Sequence, residues 1–129
     1  MTTDSTNDAE IIYSYTRSEA LADGTLVDVS IEGREVGFTV PVALTSALFE
    51  TIIAIPKDSG QDQRGRTHDV LFMAACAARK ARGRDEPRVE FSVLMTTEKG
   101  VMATLTLLVD IGPGDAGEPV ITIGYPEDF

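Results

Sequence analysis

The spacing of apolar residues changes from helical to strand-like about two-thirds of the way along the chain. Residues 65–82 repeat apolar side chains at helical intervals, and Gly83 follows as a stop signal. The predicted stripe consists of Val70, Met73, Ala74, Ala77 and Ala81. From Val89 the period becomes two. A chain with both patterns must bury a helix stripe against a sheet face, which predicts an α+β fold.

Three strands are predicted in the last third, over residues 89–96, 101–109 and 121–125. A turn at residues 98–100 and a Gly-Pro-rich break at residues 112–115 separate them. We therefore expect a three-stranded antiparallel C-terminal meander packed against the long helix. The expected contacts join Val70, Met73, Ala74 and Ala77 to Phe91, Leu105 and Ile123.

Smaller strands and helices are predicted before the long helix. Strands are expected at residues 11–15 and 26–29, and short helices at residues 18–22 and 30–37. Thr45 is a suitable N-cap for a further helix over residues 46–53, which Pro56 would end.

The length of 129 residues favours one domain, 1–129, with disorder expected at residues 1–8. The composition, 43% hydrophobic and 25% charged, is that of a globular protein. The start of the chain has no basic or apolar leader, Cys76 is the single cysteine, and no apolar run is long enough to span a membrane. These features predict a cytoplasmic protein without membrane contact.

The formal net charge of −10 is distributed unevenly. Residues 1–56 carry −7, residues 57–88 carry +3 and residues 89–129 carry −6. Such a charge disfavours direct contact with nucleic acid and favours a protein partner with a basic surface. The oligomeric state does not follow from the sequence.

Catalytic and metal-binding patterns are weak, and no cofactor is expected. His68 is the single histidine, it precedes Asp69, and neither has a nucleophile or further ligands at suitable spacing. Cys76 follows His68 by eight residues, about 80° away around a helix. The sequence predicts a protein that is not an enzyme, and a small enzyme using His68 and Asp69 is the alternative.

Two further motifs have ordinary structural interpretations. The segment Gly112–Gly117 lacks the lysine and hydroxyl residue of a phosphate loop, so a turn between strands is predicted. The basic residues Arg79, Lys80, Arg82 and Arg84 end the long helix, where cations favour the helix dipole. We expect nearby acids to pair with some of them.

Acidic residues from the two ends of the chain are the candidate partner-binding residues. They could form one negative patch if the N-terminal elements fold beside residues 110–118, and a solvated surface is the alternative interpretation. The predicted patch contains Asp23, Asp28, Glu32, Glu35, Asp115 and Glu118.

Four segments together resemble an uncharacterised family of small proteins encoded on bacterial plasmids and integrative elements. The matching segments are residues 11–30, 37–50, 61–77 and 112–123. The resemblance implies an accessory protein of a mobile element, and acidic proteins of that origin include inhibitors of host restriction or CRISPR systems. A structural or regulatory role in the element's own transfer machinery is the alternative.

Overall fold

A computed structural model of the protein describes residues 15–97 and 99–129. The disorder expected at residues 1–8 and the strand positions Ile11 and Tyr13 lie outside the described residues. Tyr15 is described and precedes the first helix without forming a strand.

The described residues form a mixed five-stranded sheet with helices on both faces. In chain order the elements are α1 (Arg17–Asp23), β1 (Leu26–Asp28), α2 (Ser30–Glu35), β2 (Val42–Thr45), α3 (Ser46–Ile53), α4 (Gln63–Lys80), β3 (Arg88–Thr96), β4 (Met102–Pro113), β5 (Pro119–Gly124) and a 3-10 turn (Pro126–Asp128). The α+β class is confirmed.

The strand order is β1-β2-β5-β4-β3. Strands β3, β4 and β5 form the predicted antiparallel meander. The sheet is nevertheless larger than predicted, because β2 pairs in parallel with β5 and antiparallel with β1.

Strand β2 was missed because it has no alternation of apolar and polar residues. All four residues of Val42–Thr45 are buried. Such a strand is covered on both faces, and a short run of this kind has no period to identify it.

Helix α4 begins where Asp62 accepts a hydrogen bond from the Gly65 amide at 2.7 Å. It packs on β3 and β4 together with α2 and α3, and we call this face of the sheet the inner face. The core between the two layers includes Leu44, Leu48, Ile52, Val70, Leu71, Leu107, Val109 and Ile123, all fully buried.

The predicted packing of α4 on the meander is confirmed for most of its residues. Val70 and Ala74 are buried, and so are Phe91 and Ile123. Met73 is 39% exposed, and the prediction of its burial is wrong. The buried stripe also contains Leu71, so its centre is shifted away from Met73 around the helix.

Among the described residues, no helix combines the length and the apolar composition that crossing a lipid bilayer requires.

Candidate protein-binding face

The outer face of the sheet, opposite α4, is covered at one end. Helix α1 lies there, because the Arg17 guanidinium donates to Thr122 Oγ1 at 2.6 Å and to the Ile121 carbonyl at 2.8 Å, and Ala20 is buried. Strand alternation places one row of outer-face side chains across all five strands. That row consists of Asp28, Ala43, Thr122, Asp110 and Arg88. The ring of Phe129 lies over the Arg88 guanidinium at 5.2 Å.

The other end of the outer face is open. Strands β3 and β4 continue past their pairing with β5, so this part of the face consists of two strands alone. Leu94 is 63% exposed and Met102 is 61% exposed. We define the open patch by the outer-face residues Ser92, Leu94, Met102, Thr104 and Thr106. Leu94 was not among the partner-binding residues predicted from the sequence.

The loop between β4 and β5 is attached to the start of α1 through Asp115. Its two carboxylate oxygens accept hydrogen bonds from the Arg17 amide at 2.8 Å and the Ser18 amide at 2.9 Å. These are amides of the first helical turn, where an acceptor and a negative charge are both stabilising. The loop is a turn between strands, as predicted, and it lies against the start of α1.

Four acidic residues surround the Arg17 side chain. Burial lowers the pKa of the Arg17 guanidinium, whereas the charges of Asp115, Asp28, Asp110 and Glu118 raise it. None of the four lies within 4.0 Å of the guanidinium, so their attraction acts over longer distances. We call these four carboxylates the acidic end of the outer face.

Three of the predicted patch residues are therefore brought together, namely Asp28, Asp115 and Glu118. Each also has a local role. Asp28 accepts from the Ser30 amide and hydroxyl, and Glu118 accepts from the Ala116 amide at 3.0 Å. Asp110 belongs with them, and the strand register rather than any sequence motif identifies it.

The other three predicted residues lie elsewhere. Asp23, at the end of α1, accepts hydrogen bonds from the Tyr15 hydroxyl and the Thr25 amide, and both lower its pKa. Glu32 and Glu35 belong to α2 on the inner face, where Glu35 forms an exposed ion pair with Arg64 at 3.2 Å. The acidic residues are thus divided between the two faces of the sheet.

His68 and Asp69 are neighbouring residues in the first half of α4. Both are exposed, His68 Nδ1 lies 4.0 Å from Asp69 Oδ1, and the imidazole stacks on Phe72 at 6.1 Å. The part of the chain that the structure describes holds no group of three His, Cys, Asp or Glu residues suited to a metal ion.

The basic residues Arg79, Lys80, Arg82 and Arg84 are exposed at the end of α4 and in the turn after it. Within residues 15–97 and 99–129, none of them forms an ion pair. The expected ion pairs with nearby acids are therefore absent among the described residues.

Comparison with known proteins gives one match. The model of a family described as "Family of unknown function (DUF6573)" matches residues 3–129. No curated protein and no solved structure matches the chain.

Proposed function

Because the chain belongs to the DUF6573 family, whose description names no activity, we propose a function chiefly from the geometry. The protein is a non-enzymatic binding protein that docks its outer sheet face on a basic surface of a partner protein. The exposure of Leu94 and Met102 beside polar neighbours is the observation that carries this proposal.

The outer face has the composition of an interface. Protein interfaces combine an apolar centre with a polar rim, and two exposed large side chains on one two-stranded surface supply the centre. Threonine and serine surround them in the open patch. Rigid strands hold these groups, so little ordering is needed on binding.

Charge determines the kind of partner. Leu94 lies six positions after Arg88 on the same strand, and Arg88 belongs to the row of side chains at the acidic end. At the rise of a strand, the two residues are roughly 20 Å apart. A partner that covers both ends of the face meets four carboxylates at one of them. With a net charge of −10 on the whole chain, a basic surface is complementary to this one.

The finer proposal is that the partner is a nucleic-acid-handling protein of a host defence system, inhibited by occupation of its basic groove. Its support is the resemblance to proteins encoded on mobile elements. An accessory role in the transfer machinery of such an element would use the same face. Competition between double-stranded DNA and the protein for the captured partner tests whether the occupied groove binds nucleic acid.

The docking face is tested by measuring how tightly matched variants bind a partner that the unmodified protein captures. We expect Leu94→Ser/Met102→Ser to raise the dissociation constant about tenfold or more. Asp28→Asn/Glu118→Gln should slow association and reduce its dependence on salt. Two controls make the same chemical changes on the helices of the inner face, namely Phe72→Ser and Glu50→Gln/Asp69→Asn.

Capture alone does not support the proposal, since an acidic protein adsorbs many basic ones. Support requires loss of binding in the outer-face variants with binding retained in both controls, each variant being folded by circular dichroism. Equal affinities for all four variants would overturn the proposal. If a folded His68→Ala protein loses its biological effect, the alternative function is favoured instead, namely a small enzyme that uses His68 and Asp69.

A further inference from the structure

Arg66 is a buried cation in the first half of α4. Its side chain is 5% exposed, and it reaches three separate segments of the chain. Nη1 donates to Gln61 Oε1 at 2.9 Å and to the Thr96 carbonyl at 3.3 Å, and Nη2 donates to the Thr51 carbonyl at 3.0 Å. All three acceptors are neutral.

The guanidinium is incompletely satisfied. Its Nε is buried and has no hydrogen-bond partner in the described part of the chain. Among the described residues, no carboxylate lies within 4.0 Å of Arg66. Buried arginines are normally paired with an anion, because removing the charge from water is costly. Burial accordingly lowers the pKa of Arg66.

A cavity lies beside this side chain on the inner side of the β3–β4 hairpin. Its volume is about 180 Å³, and Arg66 forms part of its wall. The other lining residues are Thr51, Ala54, Met95, Thr96, Thr97 and Leu105. None of them is acidic, and the walls are largely apolar. At roughly 30 Å³ for each water, the space corresponds to about six waters, or to a small organic molecule.

We propose that this cavity binds a carboxylate on a short aliphatic body. The carboxylate lies against the part of the Arg66 side chain that lines the cavity, whose charge has no carboxylate partner among the described residues. The aliphatic body contacts Met95, Leu105 and Ala54. Such a group occurs in a free short-chain carboxylic acid and at the C-terminus of a peptide that ends in an aliphatic residue.

Titration of the unmodified protein tests the proposal without relying on a variant. Sodium butyrate, N-acetylvaline, butyramide and sodium chloride are compared at constant ionic strength by ¹H–¹⁵N NMR, including the Arg66 Nε–H resonance. Butyrate should give saturable shifts at Arg66, Thr97 and Leu105 with a dissociation constant of about 1 mM. Butyramide and chloride should give none. A stronger response to N-acetylvaline assigns the site to a peptide C-terminus, and a stronger response to butyrate assigns it to a free acid.

A cavity-filling variant gives the matched control. Ala54→Leu should abolish the butyrate shifts while leaving Arg66 in place, and Ala47→Leu, at an exposed position of α3, the helix that ends just before Ala54, should leave them unchanged. Shifts that are equal for butyrate and butyramide, shifts that do not saturate, or shifts that persist in Ala54→Leu would show that Arg66 is only a structural clamp.

Discussion

Arg17 and Arg66 illustrate two ways of holding an arginine against this sheet. Arg17 lies on the outer face, bonds to two neutral oxygens and is surrounded by four acidic residues. Arg66 lies on the inner face, bonds to three neutral oxygens and has no carboxylate among its described neighbours. Burial lowers the pKa of both, but only Arg17 has charges that oppose this effect. The two faces therefore differ in how a buried charge is compensated.

The largest expected effect is on Arg66. Arg66→Met should lower the free energy of unfolding by about 3 kcal/mol, because methionine fills the space but leaves three partly buried acceptors without their donor. Since no ion pair is lost, the change should be the same at low and at high salt. Urea denaturation at both salt concentrations measures it, and Arg64→Met on the exposed side of α4 is the control. A loss that shrinks with salt would show that an anion already compensates Arg66.

A smaller effect is expected for Arg17, which is partly exposed. Arg17→Met should lower the free energy of unfolding by about 2 kcal/mol, through loss of two hydrogen bonds and of the attraction to four carboxylates. Salt screens the second contribution, so the loss should decrease as ionic strength rises. The control is Arg34→Met on α2. A loss independent of salt would remove the distinction between the two arginines.

The smallest expected effect concerns the helix cap beside Arg17. Asp115→Ala removes the acceptor of two α1 amides and should cost about 1 kcal/mol, whereas Asp115→Asn keeps an acceptor and should cost less than half as much. Thermal unfolding of both variants separates the hydrogen bonds from the charge. Equal losses would mean that the charge of Asp115, rather than its hydrogen bonds, holds the loop to α1.

The sequence predicted the elements whose period is strong and uninterrupted. Helix α4, the helix at Ser46–Ile53 and the meander were found because each repeats its apolar residues over two or more turns or alternations. Strand β2 lies between two covered faces, so Val42–Thr45 has no polar phase to reveal it. Its parallel pairing with β5 joins residues about 80 positions apart, which no local pattern encodes.

The candidate site was predicted in part for a related reason. The proximity of the two acidic ends was expected, and Asp28, Asp115 and Glu118 do lie around one side chain. Charge counts along a sequence do not identify the face of a sheet. Glu32 and Glu35 were therefore grouped with residues on the opposite side, and Arg17 and Asp110 were not singled out as members of the group.

The strand order has a consequence for the protein as it is synthesised. β5 occupies the centre of the sheet, between β2 and β4, yet it leaves the ribosome after the other four strands of this sheet. Until residues 119–124 emerge, β2 and β4 each present an unpaired edge, and the apolar side chains beneath them have no completed sheet to pack against. Nascent chains halted before β5 should consequently be the form of this protein most prone to aggregate and most dependent on chaperones.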